Sequence, residues 1–176
     1  MAPFPVPHET RGPRASDAST RRRDERLVGV VSDTHGLVRP EMLAALTGVE
    51  RILHAGDVGA PEVLDALATI APVVAVHGNN DTGPWAKRLR ETETVVVSGV
   101  RILVLHDVKE LAVDPASSGL AVVVSGHSHK PGIDERGGVL FFNPGSAGPR
   151  RFKLPIAVGK LHVGPAGVRG EIVRLG

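Results

Sequence analysis

Leu27-Val28-Gly29-Val30-Val31-Ser32-Asp33-Thr34-His35-Gly36 is five residues of almost unbroken apolar character running straight into an Asp-x-His-Gly turn. A short apolar run bounded by polar residues and glycine reads as a strand buried on both faces. The next segments repeat the arrangement. Helical spacing over 40–46 opens on Pro40, a residue suited to the first helical position. A second apolar run at 51–55 ends on Gly56-Asp57, and a second helix over 61–70 opens on Pro61. A third run at 72–76 leads into Gly78-Asn79-Asn80-Asp81. Strand, helix, strand, helix, strand implies a parallel sheet with right-handed crossovers.

The second half reads differently. Residues 92–98 and 101–105 look like paired strands around Gly99, and 120–124 is a fully apolar strand. Segments 139–142, 155–163 and 168–175 look like further strands, the last two joined by Gly164-Pro165-Ala166-Gly167.

A chain of 176 residues fits one domain with a real core, and with aromatics at 3% that core must be Val, Leu, Ile and Ala. No apolar run approaches the roughly 20 residues of a membrane span. The sequence pI near 9.4 invites a nucleic-acid reading, but the net charge is only +2. Residues 1–26 hold six Arg against four acids, which leaves 15 basic and 15 acidic residues in the body. A neutral body gives no footprint for a phosphate backbone, so no stable nucleic-acid partner is expected. The absence of Cys excludes disulfides and thiolate metal sites. Residues 1–26, with four prolines and an Arg run, read as a disordered tail without the apolar core of a secretory signal, and 27–176 as the folded domain. A cytoplasmic location is expected.

Ligands in open α/β sheets bind at the carboxyl ends of strands. Here the ends carry Asp33 and His35, then Asp57, then Asn79, then His106, then His127 and His129. Oxygen and imidazole ligands together suit Mn, Fe, Zn or Ni better than Ca. Two cations about 3.5–4 Å apart need a bridging anion, and Asp57 is the candidate. Each motif alone is common; the ordered set of five is specific.

Asp33-x-His35, Gly56-Asp57, Gly78-Asn79, His106 and Gly126-His127-x-His129, in that order, resemble the calcineurin-like metallophosphoesterase superfamily. The Asn143-Pro144-Gly145-Ser146 and Pro149-Arg150 segments resemble its small YfcE-like phosphodiesterase branch. The resemblance spans 27–176. It implies an α/β fold of two facing mixed β-sheets flanked by helices in a four-layer sandwich. It assigns one metal to Asp33, His35, Asp57 and His129, and the other to Asp57, Asn79, His106 and His127. It implies two divalent ions, Mn first, with Fe, Ni, Zn or Mg as substitutes, a small-molecule phosphate ester substrate, and self-association. The implied chemistry is attack on phosphorus by a hydroxide bridging the two cations. Asn79, Asn80 and His106 are expected to face substrate. The alternatives are a catalytically weak protein-binding scaffold of the same fold, or a phosphomonoesterase or cyclic-nucleotide phosphodiesterase on the same site.

Two positions depart from the family. Asn80 stands where a His or Cys is common; it can donate a hydrogen bond to a phosphoryl oxygen but cannot act as a general acid. It is the candidate catalytic residue, and diesters with good leaving groups are the expected substrates. Asp107 stands where Gly is usual, and the expectation is that it caps a helix starting at Val108. His54 and His77 are expected to be structural, His162 a surface residue, Asn143 and Ser146 turn residues, and Arg150, Arg151 and Lys153 a solvated basic face, with contact to substrate phosphate as the alternative. Trp85 in the 81–91 loop is expected to be a packing or contact residue, or a lid.

Overall fold

The computed structural model describes residues 25–176. The expected tail therefore lies outside the described residues, apart from Glu25 and Arg26. Arg26 already belongs to the first strand, β1 (Arg26–Val31). The segments then run α1 (Pro40–Ala45), β2 (Arg51–His54), α2 (Pro61–Ala68), β3 (Val73–Ala75), β4 (Thr92–Val97), β5 (Val100–Leu105), β6 (Val122–Val124), β7 (Gly132–Arg136), β8 (Val139–Asn143), β9 (Ala157–Gly164) and β10 (Gly167–Arg174). Single 3-10 turns cover Ala86–Arg88 and Val108–Glu110. Among the described residues no helix is long and apolar enough to cross a membrane.

Ten strands form two five-stranded sheets, ordered β10-β9-β1-β2-β3 and β4-β5-β6-β8-β7. In the first, β1 and β2 pair in parallel from Val28↔Arg51 to Val31↔His54, and β3 extends the parallel set. In the second, β5, β6 and β8 are parallel. Parallel strands end at one edge, so each sheet delivers its strand ends together. The hairpin β4–β5 turns on Ser98 and Gly99, both at positive φ, as a two-residue loop requires.

The strands alternate because both faces of each sheet are covered. Val28 and Val30 of β1 point between the sheets with Leu53, Ile102, Val104, Val122, Val124 and Phe142. Val31 and Ile52 point the other way, onto Met42 and Leu46 of α1 and Val63 and Leu67 of α2. The outer face of the second sheet, with Leu103, Leu105, Val123 and Val139, is covered by Leu111 and Leu120 from the segment after β5. The four layers are present, but the fourth holds a single 3-10 turn in place of an α-helix.

Strand β7 has no counterpart in the sequence reading. All five of its residues are exposed at the sheet edge, so it shows none of the apolar alternation that marks the others. His162 is also a correction: it sits between Glu25 Oε2 at 3.2 Å and Glu171 Oε2 at 2.8 Å and is mostly covered.

Phe142 ties the sheets together. It is 1% exposed. A Cβ on Gly159 would lie 2.4 Å from its ring and one on Gly170 would lie 2.7 Å away, so two glycines of β9 and β10 leave the groove it fills. Asn143 follows directly and supports a site loop through its bond to Gly126 O. Phe142→Ala should lower the unfolding free energy by about 3–5 kcal/mol, as large aromatic truncations in cores do. Urea denaturation measures this, and a loss under about 1 kcal/mol would mean the groove is not filled as described.

Candidate metal centre

The strand ends are stitched to one another by backbone hydrogen bonds. Asp33 N–H donates to Gly56 O at 3.0 Å, His35 N–H to Asp57 O at 3.0 Å and Gly36 N–H to Val58 O at 2.7 Å. From the other sheet, Gly126 N–H donates to His106 O at 2.9 Å. The sheets meet where His127 N–H donates to Asp33 Oδ2 at 3.1 Å. Ala147 and Gly148 donate backbone N–H to Ser32 O and Asp33 O, each at 3.1 Å. Glycine is required at these approaches: a Cβ on Gly126 would overlap Ser32 Oγ at 1.8 Å, and one on Gly78 would overlap Asp57 N at 2.0 Å.

The bends needed to leave a strand and face inward fall on the expected ligand residues themselves. Asp33, His35, Asp57, His127 and His129 all have φ between 48° and 64°. Non-glycine residues in this region are strained by about 1–3 kcal/mol, and such strain gathers at functional sites.

Six of the seven expected ligands form a continuous chain of close approaches. Asp33 Oδ1 lies 3.2 Å from His129 Nε2. His129 Nε2 lies 3.4 Å from His35 Nε2. Asp57 Oδ2 lies 3.8 Å from His35 Nε2 and 3.5 Å from His106 Nε2. His106 Nε2 lies 3.3 Å from His127 Nδ1. Asn79, the seventh, is exposed in the turn between Gly78 and Asn80, both of which touch Asp57. Two subsets bring three ligand atoms within 4.8 Å of one another: Asp33, His35 and His129; and Asp33, Asp57 and His106.

These residues fit divalent cations. Asp33 Oδ1 is buried without a hydrogen-bond partner. A cation with bonds to nitrogen of about 2.0–2.1 Å holds its ligand atoms roughly 3.0–3.4 Å apart, and the imidazole pairs here approach at that spacing. The inner nitrogens are also aimed. His106 Nδ1 faces Ala55 O at 2.7 Å, a bond in which Nδ1–H donates and which turns Nε2 toward the cluster.

A family model, the calcineurin-like phosphoesterase superfamily domain, matches residues 27–164. The chain belongs to the calcineurin-like phosphoesterase superfamily. It is 36% identical over 164 residues to a probable metallophosphoesterase of Methanothermobacter thermautotrophicus, covering 85% of this chain and 93% of that protein. It is 28% identical over 137 residues to a phosphodiesterase of Methanocaldococcus jannaschii, covering 67% of this chain and 82% of that one. Among solved structures, Vps29 of Entamoeba histolytica in complex with Zn²⁺ is 26% identical at a TM-score of 0.63, covering 85% of this chain and 99% of that chain.

Around this superfamily site stands a supporting shell, only part of which was legible beforehand. Asn80 donates its backbone N–H to Asp57 Oδ1 at 2.8 Å and its side-chain Nδ2 to Oδ2 at 2.7 Å, so it orients that carboxylate. Asp81 is buried, and its carboxylate accepts from Gly59 N at 2.8 Å and Gly78 N at 2.9 Å. The sequence reading assigned Asp81 no role; the signal was its place three residues after a glycine in a turn. Ser146 Oγ donates to Asp33 O at 2.9 Å and Asn143 Nδ2 to Gly126 O at 2.7 Å, so both hold ligand loops. His54 is fully buried with Nε2 at 2.9 Å from the Thr34 hydroxyl, which itself donates to Val58 O. His77 lies 3.9 Å from Glu91, and Trp85 packs on the helix-side core.

Two basic and acidic residues come closer than expected. Asp107 caps the 3-10 turn, accepting from Lys109 N at 3.0 Å, while its other oxygen lies 3.7 Å from His127 Nε2. Arg150, Arg151 and Lys153 are all exposed, as expected, and Arg151 also places Nη2 3.5 Å from His35 Nε2.

The charges follow from these contacts. Burial pushes the Asp33 carboxyl up, against the Ser32 hydroxyl bond. Burial also opposes the Asp57 charge, but bonds from His106 and Asn80 overcome it and hold the carboxyl well below its usual range. Burial opposes charge on His106 as well, yet Asp57 and the Ala55 carbonyl lift it to about 9. Burial first and the Arg151 charge second push His129 down to about 4, and burial holds His54 at about 3.

In the metal-free protein, then, the His106–Asp57 pair contributes its full stability between the ordinary aspartate value of 3.8 and the ordinary histidine value of 6.5, and loses it as pH rises through about 9. His54 and His129 act only on the acid side. The Tm of chelator-treated protein should fall by several degrees between about pH 6.5 and 9. A divalent cation, which needs His106 neutral, should flatten that decline. Calorimetry across this range tests it; a metal-free Tm that rises toward pH 9 contradicts the pairing.

Proposed function

We propose that the protein is a phosphodiesterase that hydrolyses small phosphate diesters with two divalent cations held by Asp33, His35, Asp57, Asn79, His106, His127 and His129. The carrying observation is the position of Asp57: one oxygen faces His35 Nε2 at 3.8 Å on one side and His106 Nε2 at 3.5 Å on the other. A carboxylate flanked in this way by two imidazole groups suits a bridging ligand. Asp33, His35 and His129 supply the rest of one centre, and His106, His127 and Asn79 the rest of the other. Mn is the first candidate, with Fe, Ni, Zn or Mg as substitutes.

When bound, the cations supply an acidified water and neutralise charge on the phosphoryl oxygens. The protein's part is orientation. Asn80 holds Asp57 through two hydrogen bonds and keeps a second Nδ2 hydrogen for a phosphoryl oxygen. His106, fixed by Ala55 O, presents Nε2 to the reaction space. The attacking water gives up a proton to solvent, its oxygen forms the new bond to phosphorus, the bond to the leaving alcohol breaks, and the alcohol oxygen keeps the electron pair. That oxygen takes its proton from solvent, because the Asn80 amide donates hydrogen bonds but is not an acid. Good leaving groups are therefore favoured. The reading also carries self-association, as the resemblance implies, and the cytoplasmic location expected from the sequence.

A second reading, a protein-binding scaffold on the same fold, draws support from the likeness to Vps29. Hydrolysis of a bis-aryl phosphate diester and its monoester separates the two. Metal-stripped protein should be inactive, Mn²⁺ should restore diester turnover above monoester turnover, and Asp57→Asn should abolish it. Mn²⁺ binding without turnover of either ester would favour the scaffold.

Asp107 gives an independent check on the second centre. Asp107→Asn keeps the cap and removes the charge beside His127. Divalent-ion affinity by isothermal titration calorimetry should fall by about tenfold, as it does when a carboxylate behind a ligating histidine is lost. An unchanged affinity would mean Asp107 is a cap alone.

A further inference from the structure

Arg151 sits on the loop between β8 and β9, and that loop is anchored with unusual thoroughness to the site. Ser146 Oγ, Ala147 N–H and Gly148 N–H all donate to the backbone carbonyls of Ser32 and Asp33. Arg39 clamps the loop from the other side, with Nε donating to Ala147 O and Nη2 to Gly148 O, each at 3.0 Å. Only glycine fits at 148, where a Cβ would lie 2.3 Å from Asp33 O. Beyond this anchor the chain turns sharply: Leu154 N–H donates to Arg151 O at 3.1 Å, and Phe152 takes a positive φ of 52°. The turn brings the Arg151 guanidinium to His35 Nε2 at 3.5 Å.

Arg151 is exposed to solvent, yet its guanidinium turns toward the site. A guanidinium is always charged and offers five N–H donors and no acceptor. Here, among the described residues, its side-chain neighbour is an imidazole, and no carboxylate lies within ion-pair distance. With cations in the centre the charge would be opposed further. A positive group facing a positive site is stabilised by an anion placed between them. The guanidinium fork matches two oxygens of one phosphoryl group.

We propose that Arg151 is a substrate-binding residue that grips a non-bridging oxygen of the phosphate ester at the His35 end of the site. Asp107 stands at the opposite, His127 end, so the site is positive at one end and negative at the other. This polarity turns the anionic oxygens of the substrate toward His35 and leaves the ester group toward His127. The inference rests on the phosphodiesterase reading and adds the residue that orients its substrate.

The test is calorimetric titration of inorganic phosphate into full-length, Mn²⁺-loaded protein, with Mn²⁺ affinity measured separately. Arg151→Ala should weaken phosphate binding at least about tenfold, the scale of a lost charge-assisted hydrogen bond to an anion, with Mn²⁺ affinity unchanged. Arg151→Lys, which keeps the charge and loses the fork, should fall between. In diester hydrolysis the Ala variant should show its defect mainly in KM. Unchanged phosphate affinity in the Ala variant overturns the proposal alone. Equal losses of Mn²⁺ and phosphate affinity overturn it too, since Arg151 would then be shaping the metal centre. Wild-type protein that binds no Mn²⁺ overturns the phosphodiesterase reading itself, and this proposal with it.

Discussion

A buried carboxylate is costly unless opposite charge stands beside it, and this fold buries two, Asp33 and Asp57, within one cluster. Much of the surrounding structure follows from that constraint. Asp57 is satisfied by Asn80 and His106. Asp33 is satisfied on one oxygen by Ser32 and the His127 backbone, and its other oxygen has only the His129 ring before it. Four imidazole groups crowd the two carboxylates, and protons or cations compete for the same nitrogens. The lifted His106 and the depressed His129 are two outcomes of one arrangement: bonds from Asp57 and the Ala55 carbonyl overcome burial at the first, while burial, aided by the Arg151 charge, prevails at the second.

Holding so many polar groups together requires a rigid frame. The two sheets provide it by facing each other across a core of small branched side chains, with Phe142 seated on Gly159 and Gly170. Strain at five ligand residues is tolerated because the loops that carry them are bonded to each other and to the 146–148 segment. The strain, the close glycine approaches and the buried carboxylates belong to one design, in which turns are pressed together so that side chains from separate strands share one small volume.

Reading the chain alone recovered nine of the ten strands, and the reason is local. A strand buried on both faces must be apolar throughout, and its end must be polar where the chain turns. The 27–36 segment shows both features without any partner in view. Strand β7 was missed because an exposed edge strand carries no such imprint. The same limit applied to side chains. Arg150 and Arg151 are neighbours of identical type, and nothing in their spacing says which one turns toward His35. Asn80 was legible as a departure and as a donor, but not as the residue that holds Asp57.

The sequence by itself determined the order of apolar runs, the polar residues at their ends, and hence the two sheets and the candidate ligand set, because these depend on periodicity and residue chemistry. Only the tertiary structure decided that Asp57 lies between His35 and His106, that Asp107 both caps a turn and faces His127, that Asp81 clamps two loops, and that Arg151 faces the site. Each is a contact between segments far apart in the chain, made or lost by turns whose direction depends on how the whole core packs.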